Sequence, residues 1–334
     1  MKKMANSFYI NPVALIVFAL LFSVACTKNT SEGVRIDNNR ITPVLADNFN
    51  LSLFSAAVKR GNMGKILEGE GPFTVLAPSD AAFNLAGYGA VTGIITANTD
   101  LMSALVSHHI MDGRLALEKL PYQFNKEFPG HNGQLYITHW IKGLDTAITI
   151  NGARVLRSNI AASNGYIQVI NRVLQPAANT TLADALASDE TLTLFAQAMK
   201  VAGLLDTVAT KGPFTIFALD NNVMKAQGYA TVQQVNETDP ATLEQFLRYH
   251  ILRDRRFISD YILSADATDT NEQVMLDGNK VSIGLLADPG EPGGYSGIYL
   301  TGTGNTDNVY VQKQDLLAGN GVLHILSDAL LLAQ

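Results

Sequence analysis

Apolar and polar positions divide the chain into a short apolar opening, a polar stretch, and two long segments that repeat one order of patterns. Val13 to Phe22 (VALIVFALLF) is an unbroken apolar run behind Lys2 and Lys3. Crossing a bilayer takes roughly 20 apolar residues, so this run predicts a signal-peptide core and not a spanning helix. Thr27 to Arg40 is mostly polar and predicts a flexible tether. Farther on, Leu51, Phe54 and Val58 fall on one stripe of a helix spanning Leu51 to Val58. Phe73 to Ala77 is a β-prone run opened by Gly-Pro and stopped by Pro78; Ser79 then stands where a helix N-cap belongs. Asn98 to Ser107 predicts a second amphipathic helix with Leu101, Met102, Leu105 and Val106 inward. From Gln123 onward the period changes to two. Strands are expected at Leu135–Thr138, Ala147–Ile150, Arg154–Leu156 and Tyr166–Ile170, punctuated by Gly and Asn. Helices first and strands later argue for an α+β fold.

The second long segment repeats the first. GPFTVLA at Gly71 to Ala77 recurs as GPFTIFA at Gly212 to Ala218, an offset of 141 residues. The same offset carries Leu53-Phe54 onto Leu194-Phe195, Ala57 onto Ala198, Gly87-Tyr88 onto Gly228-Tyr229 and His109-Ile110 onto His250-Ile251. Near the ends, Asn164-Gly165 matches Asn320-Gly321 at an offset of 156, so the second copy holds 15 more residues between these landmarks. Its Gly/Pro-rich segment Asp288 to Gly297 is the natural place for part of that excess, as a surface loop. The division expected is a signal peptide over 1–25, a tether over 26–42, one domain over 43–177 and a second over 178–334.

These landmarks resemble the fasciclin domain. Its first signature, a strand-to-helix passage of the form T-x-F-x-P-[ST]-x-x-A-F, appears as FTVLAPSDAAF from Phe73 to Phe83. Copy two replaces Pro78-Ser79 by Leu219-Asp220 and Phe83 by Met224; Asp220 can still cap a helix. The middle signature, a Tyr-His pair, stands at Tyr249-His250 and is altered to His108-His109 in copy one. The last, an N-G-x-[IV]-x-x-[IV] strand, is met from Asn164 to Pro176 and from Asn320 to Leu332. The resemblance implies two tandem domains, each a β-sandwich or wedge packed with several helices. It also implies an extracellular role in adhesion or in association with matrix, polysaccharide or another surface protein. Pro78, His109, Tyr249, His250, Asn164, Gly165, Asn320 and Gly321 are its structural motif residues.

Ser23-Val24-Ala25-Cys26 ends the apolar opening, and small residues before a cysteine resemble the lipobox of bacterial lipoproteins, with Ser23 where leucine is usual. Cys26 is the only cysteine in the chain, and its place behind a signal core marks it as the lipid-attachment residue. Two or three acyl chains there would anchor the protein to a bilayer without a spanning segment. Thr27, where an inner-membrane retention signal would place aspartate, favours the outer membrane. Whether the protein faces the periplasm or the outside stays open. The chain has 24 basic and 30 acidic residues; removing the signal segment leaves 22 against 30. With no basic stripe, nucleic acid is not an expected partner.

Enzyme chemistry finds little support in the motifs. His108 and His109 are adjacent, so on a helix or a strand their side chains diverge and do not chelate one metal. Recurrence of His109 as His250 points to a buried, hydrogen-bonded imidazole at a helix-to-strand junction. Asp266 to Glu272 is like a calcium loop only in composition, lacking its glycine and its final bidentate glutamate. No G-x-S-x-G or H-E-x-x-H occurs. No catalytic residue, metal or cofactor is expected. Tyr122, Phe124, Phe128, Tyr136 and Trp140 cluster within 19 residues, and strand alternation sends about half of them to the core. Those facing water, with Tyr122 and Trp140 as candidates, would form a contact patch, as would Tyr295 and Tyr299 in the copy-two insertion. The expected function is a non-catalytic surface adhesion or interaction lipoprotein binding a protein or matrix partner. The alternative is a glycan-binding accessory protein of a polysaccharide-uptake system.

Overall fold

A computed structural model describes residues 37–291 and 293–333; Cys26, the signal core and nearly all of the tether lie outside them. Copy one opens with helices α1 (Ile41–Ala46), α2 (Ser52–Arg60) and α3 (Gly64–Leu67), which lead into strand β1 (Phe73–Pro78). Helices α4 (Asp80–Leu85), α5 (Val91–Thr96) and α6 (Thr99–His108) follow. The strands come next: β2 (Ile110–Asp112), β3 (Gln123–Gly130), β4 (Gly133–Lys142), β5 (Asp145–Ile150), β6 (Ala153–Ala162) and β7 (Gly165–Ile170). They form one seven-stranded sheet in the order β2-β1-β7-β6-β5-β4-β3. Its long hairpins are antiparallel, whereas β1 and β7 pair in parallel, with Phe73 opposite Gly165 and Pro78 opposite Ile170.

Copy two repeats the plan. Helices α7 (Leu182–Ser188), α8 (Thr193–Val201) and α9 (Leu205–Thr210) precede β8 (Phe214–Leu219), and α10 (Asn221–Ala226), α11 (Val232–Glu237) and α12 (Pro240–Arg248) follow it. After β9 (Ile251–Leu252) come α13 (Ile258–Ser264), β10 (Thr270–Val274), β11 (Lys280–Ala287), β12 (Tyr295–Gly302), β13 (Val309–Ala318) and β14 (Gly321–Leu326). Strand for strand, the order β10-β11-β12-β13-β14-β8-β9 is that of copy one. The α+β expectation of two tandem domains, each a helix-packed sheet, therefore holds.

The periodicities explain the packing. Leu51, Phe54 and Val58 are buried on one side of α2 and meet Val75, Ala77 and Leu105. Leu76, between those two β1 residues, points to the opposite side of the sheet and joins Leu135, Ile137, Ile150 and Ile170. A strand buried on both faces carries a continuous apolar run, which is why FTVLA shows no alternation. Ser79 accepts a hydrogen bond from the Ala82 amide, and Asp220 accepts from Asn222 and Val223; the two caps work without a shared residue type. Met224 is fully buried where copy one has Phe83.

Two expectations need correction. Leu101 is 54% exposed, because the inward stripe of α6 runs through Met102, Leu105 and Val106 and leaves position 101 at its edge. The first domain begins before residue 43, since Ile41 is fully buried in its core and α1 packs there. The extra residues of copy two are distributed over three places. One is the loop between Ala287 and Tyr295, as expected; another lengthens the β12–β13 turn, and the third carries α13 between β9 and β10. At that third place copy one has only the single turn Leu117–Lys119.

Candidate interaction site

The motif residues lie at joints of the fold. Asn164 occupies the turn before β7, where its Oδ1 accepts from the Ile41 amide at 3.0 Å. Its Nδ2 donates to the carbonyls of Leu67 and Gly69, both at 2.8 Å. Asn320 does the same in copy two, accepting from Leu182 and donating to Val208 and Lys211. Each asparagine thus ties the first helix and the segment before the central strand to the end of the sheet. The following glycine is required by proximity: a Cβ on Gly165 would stand 2.1 Å from the Phe73 carbonyl oxygen, and one on Gly321 2.3 Å from that of Phe214. Pro78 ends β1 opposite Ile170, just before the Ser79 cap.

His109 and His250 are fully buried and make matching bonds. Each Nδ1 bonds the carbonyl four residues back, Leu105 at 2.8 Å and Phe246 at 2.9 Å. Each Nε2 accepts from the backbone after the last strand, Leu174 and Leu330, both at 3.0 Å. Burial lowers the pKa of His109 to about 3 and of His250 to about 4, against the smaller raising effect of the carbonyl bonds. Both rings are therefore neutral, with the proton held on Nδ1 by the carbonyl. Tyr249 is buried beside His250; its hydroxyl donates to the Lys280 carbonyl at 2.8 Å and accepts from the Thr303 amide at 3.1 Å. In copy one His108 takes this place, bonding the Asn132 carbonyl through Nδ1 and meeting Asn151 through Nε2. A different side chain thus links the same two turns.

The inserted helix α13 gives the two domains a seam. Alternation along β4 puts Leu135 and Ile137 into the domain-one core and turns Tyr136, Thr138, Trp140 and Lys142 to the other face. Domain two covers part of that face. The guanidinium of Arg255 lies 3.6 Å over the Tyr136 ring, and Phe257 and Val322 pack with Tyr136 in a small apolar cluster. Arg256 sits over Phe124 at 4.8 Å. Asp260, fully buried on α13, accepts from Thr138 Oγ1 at 2.8 Å, from Asn125 Nδ2 at 2.7 Å and from the Phe257 amide at 2.8 Å. Desolvation pushes its pKa up to about 6, although all three donors pull the other way. Asp315 closes the seam at its other end, receiving the Ile258 amide at 2.8 Å and pairing with Arg172 at 2.9 Å.

Beside this buried contact the seam opens into two adjoining recesses of about 620 and 470 Å³, which share Arg154, Ile262, Leu263 and Tyr295. Trp140 lines the larger one and Tyr295 lines both. Two of the four candidate contact aromatics are thereby brought together. The other two lie elsewhere: Tyr122 is 54% exposed over His139, and Tyr299 covers Gly284 on the neighbouring strand and packs near Tyr310. Of the remaining aromatic cluster, Tyr136 and Phe124 are engaged by domain two and are not an open patch. Asp260, Asn125 and Thr138 carried no sequence signal. Asp315 did carry one: the 156-residue offset pairs it with Asn159, which occupies the equivalent bulge, and both have positive φ.

The fasciclin domain profile matches residues 49–176 and 190–332. Periostin of Homo sapiens is 28% identical over 271 residues, covering 79% of this chain and 29% of its own length. The transforming growth factor-beta-induced protein ig-h3 of Sus scrofa is 25% identical over 266 residues, covering 79% of this chain and 35% of its own. The chain thus spans about a third of the length of these relatives. A solved FAS1 domain pair from the insect cell adhesion molecule Fasciclin I aligns with 84% of this chain and 95% of its own, at 19% identity and a TM-score of 0.40. With the profile falling on both repeats and the same seven-strand order in each, the chain belongs to the fasciclin family and carries two of its domains in tandem.

Proposed function

We propose that this protein is a non-catalytic adhesion lipoprotein, exported, held at the outer membrane by lipid on Cys26, and presenting its two domains to a protein or matrix partner. Family membership over both copies carries this reading. The seam supports it, because α13 locks the copies into one body able to display a composite surface. The buried histidines are committed to backbone bonds within the fold, which leaves their ring nitrogens engaged in structure. No helix among the described residues is long and apolar enough to cross a membrane, and the proposed anchor is the lipid alone.

Two measurements test the proposal. Cys26→Ser should move the protein from the membrane pellet to the soluble fraction with both domains folded; persistence in the pellet refutes the anchor. Cells lacking the protein should attach less to immobilised matrix proteins and to sibling cells than cells bearing it. Equal attachment on every surface refutes the adhesion role. The recess containing Trp140 and Tyr295 favours a second reading, a glycan-binding protein serving polysaccharide uptake.

A further inference from the structure

We infer that the open part of the domain seam is a saccharide groove that takes a neutral oligosaccharide across Trp140 and Tyr295. The inference deepens the second reading above and rests on it.

The groove exists only because the two copies differ. Its floor is the outward face of β4 and β5 in domain one, and its far wall is α13 with the loop before β12, both belonging to the copy-two insertions. Its two recesses, about 620 and 470 Å³, fall in the range of roughly 300–1,000 Å³ usual for small-ligand sites. Two aromatic side chains stand in it, each held from behind. Trp140 is half-buried with its ring 4.5 Å from Phe124, and Phe124 is itself covered by Arg256 of domain two. Tyr295 donates its hydroxyl to Asp269 at 2.6 Å and carries the Lys142 ammonium 5.1 Å over its ring. Rings fixed in this way lose little freedom when a flat apolar surface settles on them, and the C–H face of a pyranose is such a surface.

The rim supplies alternating donors and acceptors. Asp145 pairs with Arg154, and Asp269 receives both Tyr295 and Lys142. Asp266 is exposed at the mouth, where its bonds to the Thr268 side chain and backbone hold its pKa below the usual carboxylate range. Carboxylates accept from hydroxyls, and the guanidinium and ammonium groups donate to them. In the larger recess three carboxylates face two cations, a slight acidic excess that disfavours uronic or sulfated sugars. Along the floor β4 and β5 are bonded to each other, from Ile137 opposite Ile150 to Lys142 opposite Asp145, so the backbone groups between them are already satisfied. Side-chain recognition of a polyhydroxylated ring is what this floor permits.

The mature two-domain protein should be titrated calorimetrically with maltohexaose, cellohexaose, laminarihexaose, mannohexaose and xylohexaose, and with trigalacturonate as the anionic probe. At least one neutral hexaose should bind and alter the emission of Trp140, the only tryptophan in the chain. Trp140→Leu and Tyr295→Ser should each weaken that binding about ten-fold. Should either variant unfold, Asp266→Ala at the exposed mouth gives the same readout, with several-fold weaker binding expected. No heat from any neutral hexaose, binding of trigalacturonate alone, or unchanged affinity in the folded variants overturns the inference. Neutral-hexaose binding that persists unchanged in the folded variants overturns the groove and leaves the glycan-binding reading standing, whereas no heat from any neutral hexaose removes both.

Discussion

Asn164→Ala removes one side chain that makes three bonds, and its cost follows from what those bonds leave behind. The Ile41 amide loses its acceptor, and the Leu67 and Gly69 carbonyls lose a shared donor. Asn164 is 4% exposed, and Ile41 and Leu67 are fully buried, so water cannot readily replace the amide. At about 1 kcal/mol for each bond, with the buried partners left unsatisfied, domain one should lose about 3 kcal/mol. With a urea dependence of about 2 kcal/mol per molar, the midpoint should fall by roughly 1.5 M. The assay is favourable because Trp140 is the only tryptophan and lies on β4 of domain one at the seam, so its fluorescence follows that domain and its contact with domain two while circular dichroism reports on both. Asn320→Ala should cost less, because that residue is partly exposed and water reaches its partners. Asn164→Asp gives the sharper test. It keeps the acceptor for Ile41 but aims a second acceptor at two carbonyls, so it should be no milder than alanine. If the aspartate variant unfolds with wild type, or the alanine midpoint moves by less than about 0.3 M, the three-bond account is wrong.

Acidification provides another prediction. His109 and His250 have folded pKa values depressed to about 3 and about 4, so their stabilising contribution is complete above pH 6.5 and is lost as pH falls toward those values. At 1.36 kcal/mol per unit the losses approach about 5 and 3 kcal/mol. Asp260 acts in the opposite direction: with a folded pKa raised to about 6, it favours the native state as pH falls from 6 toward 3.8, by about 3 kcal/mol. The histidines win, so urea midpoints should decline from pH 7 to pH 4, and Asp260→Asn should steepen the decline; a flat or rising profile contradicts this. Gly165→Ala should destabilise domain one by about 3 kcal/mol or more, because its Cβ would meet the Phe73 carbonyl oxygen at 2.1 Å and force the β1–β7 pair apart. A melting curve unchanged from wild type would show that the strands yield. His250→Ala strands the Phe246 carbonyl and the Leu330 amide and should lower the stability of domain two by about 1–3 kcal/mol, visible as an earlier transition in circular dichroism.

Most of each domain was legible in the amino-acid order because its determinants are local or repeated. Strand alternation marks Leu135 and Ile137 for the core, Ser79 and Asp220 announce helix starts, and the recurring Asn-Gly pairs flag one joint in each copy. Repetition also singled out His109 and His250, although their partners, Leu174 and Leu330, could be found only in space. Leu101 was misplaced because the first turn of a helix samples too few residues to define the edge of its stripe.

Amino-acid order alone carries the two-copy architecture, its caps, its strand periods and the family resemblance. How the copies meet is set only by contacts in space. Thr138 and Trp140 occupy the face of β4 that a half-buried strand turns to water, and nothing near them announces a cover. The cover is α13, more than a hundred residues away and present in one copy only, so neither periodicity nor repetition signals it. Asp260 looks like any solvent-facing helix acid until Asn125 and Thr138 close over it, since desolvation depends on what packs against a group and not on its neighbours in the chain.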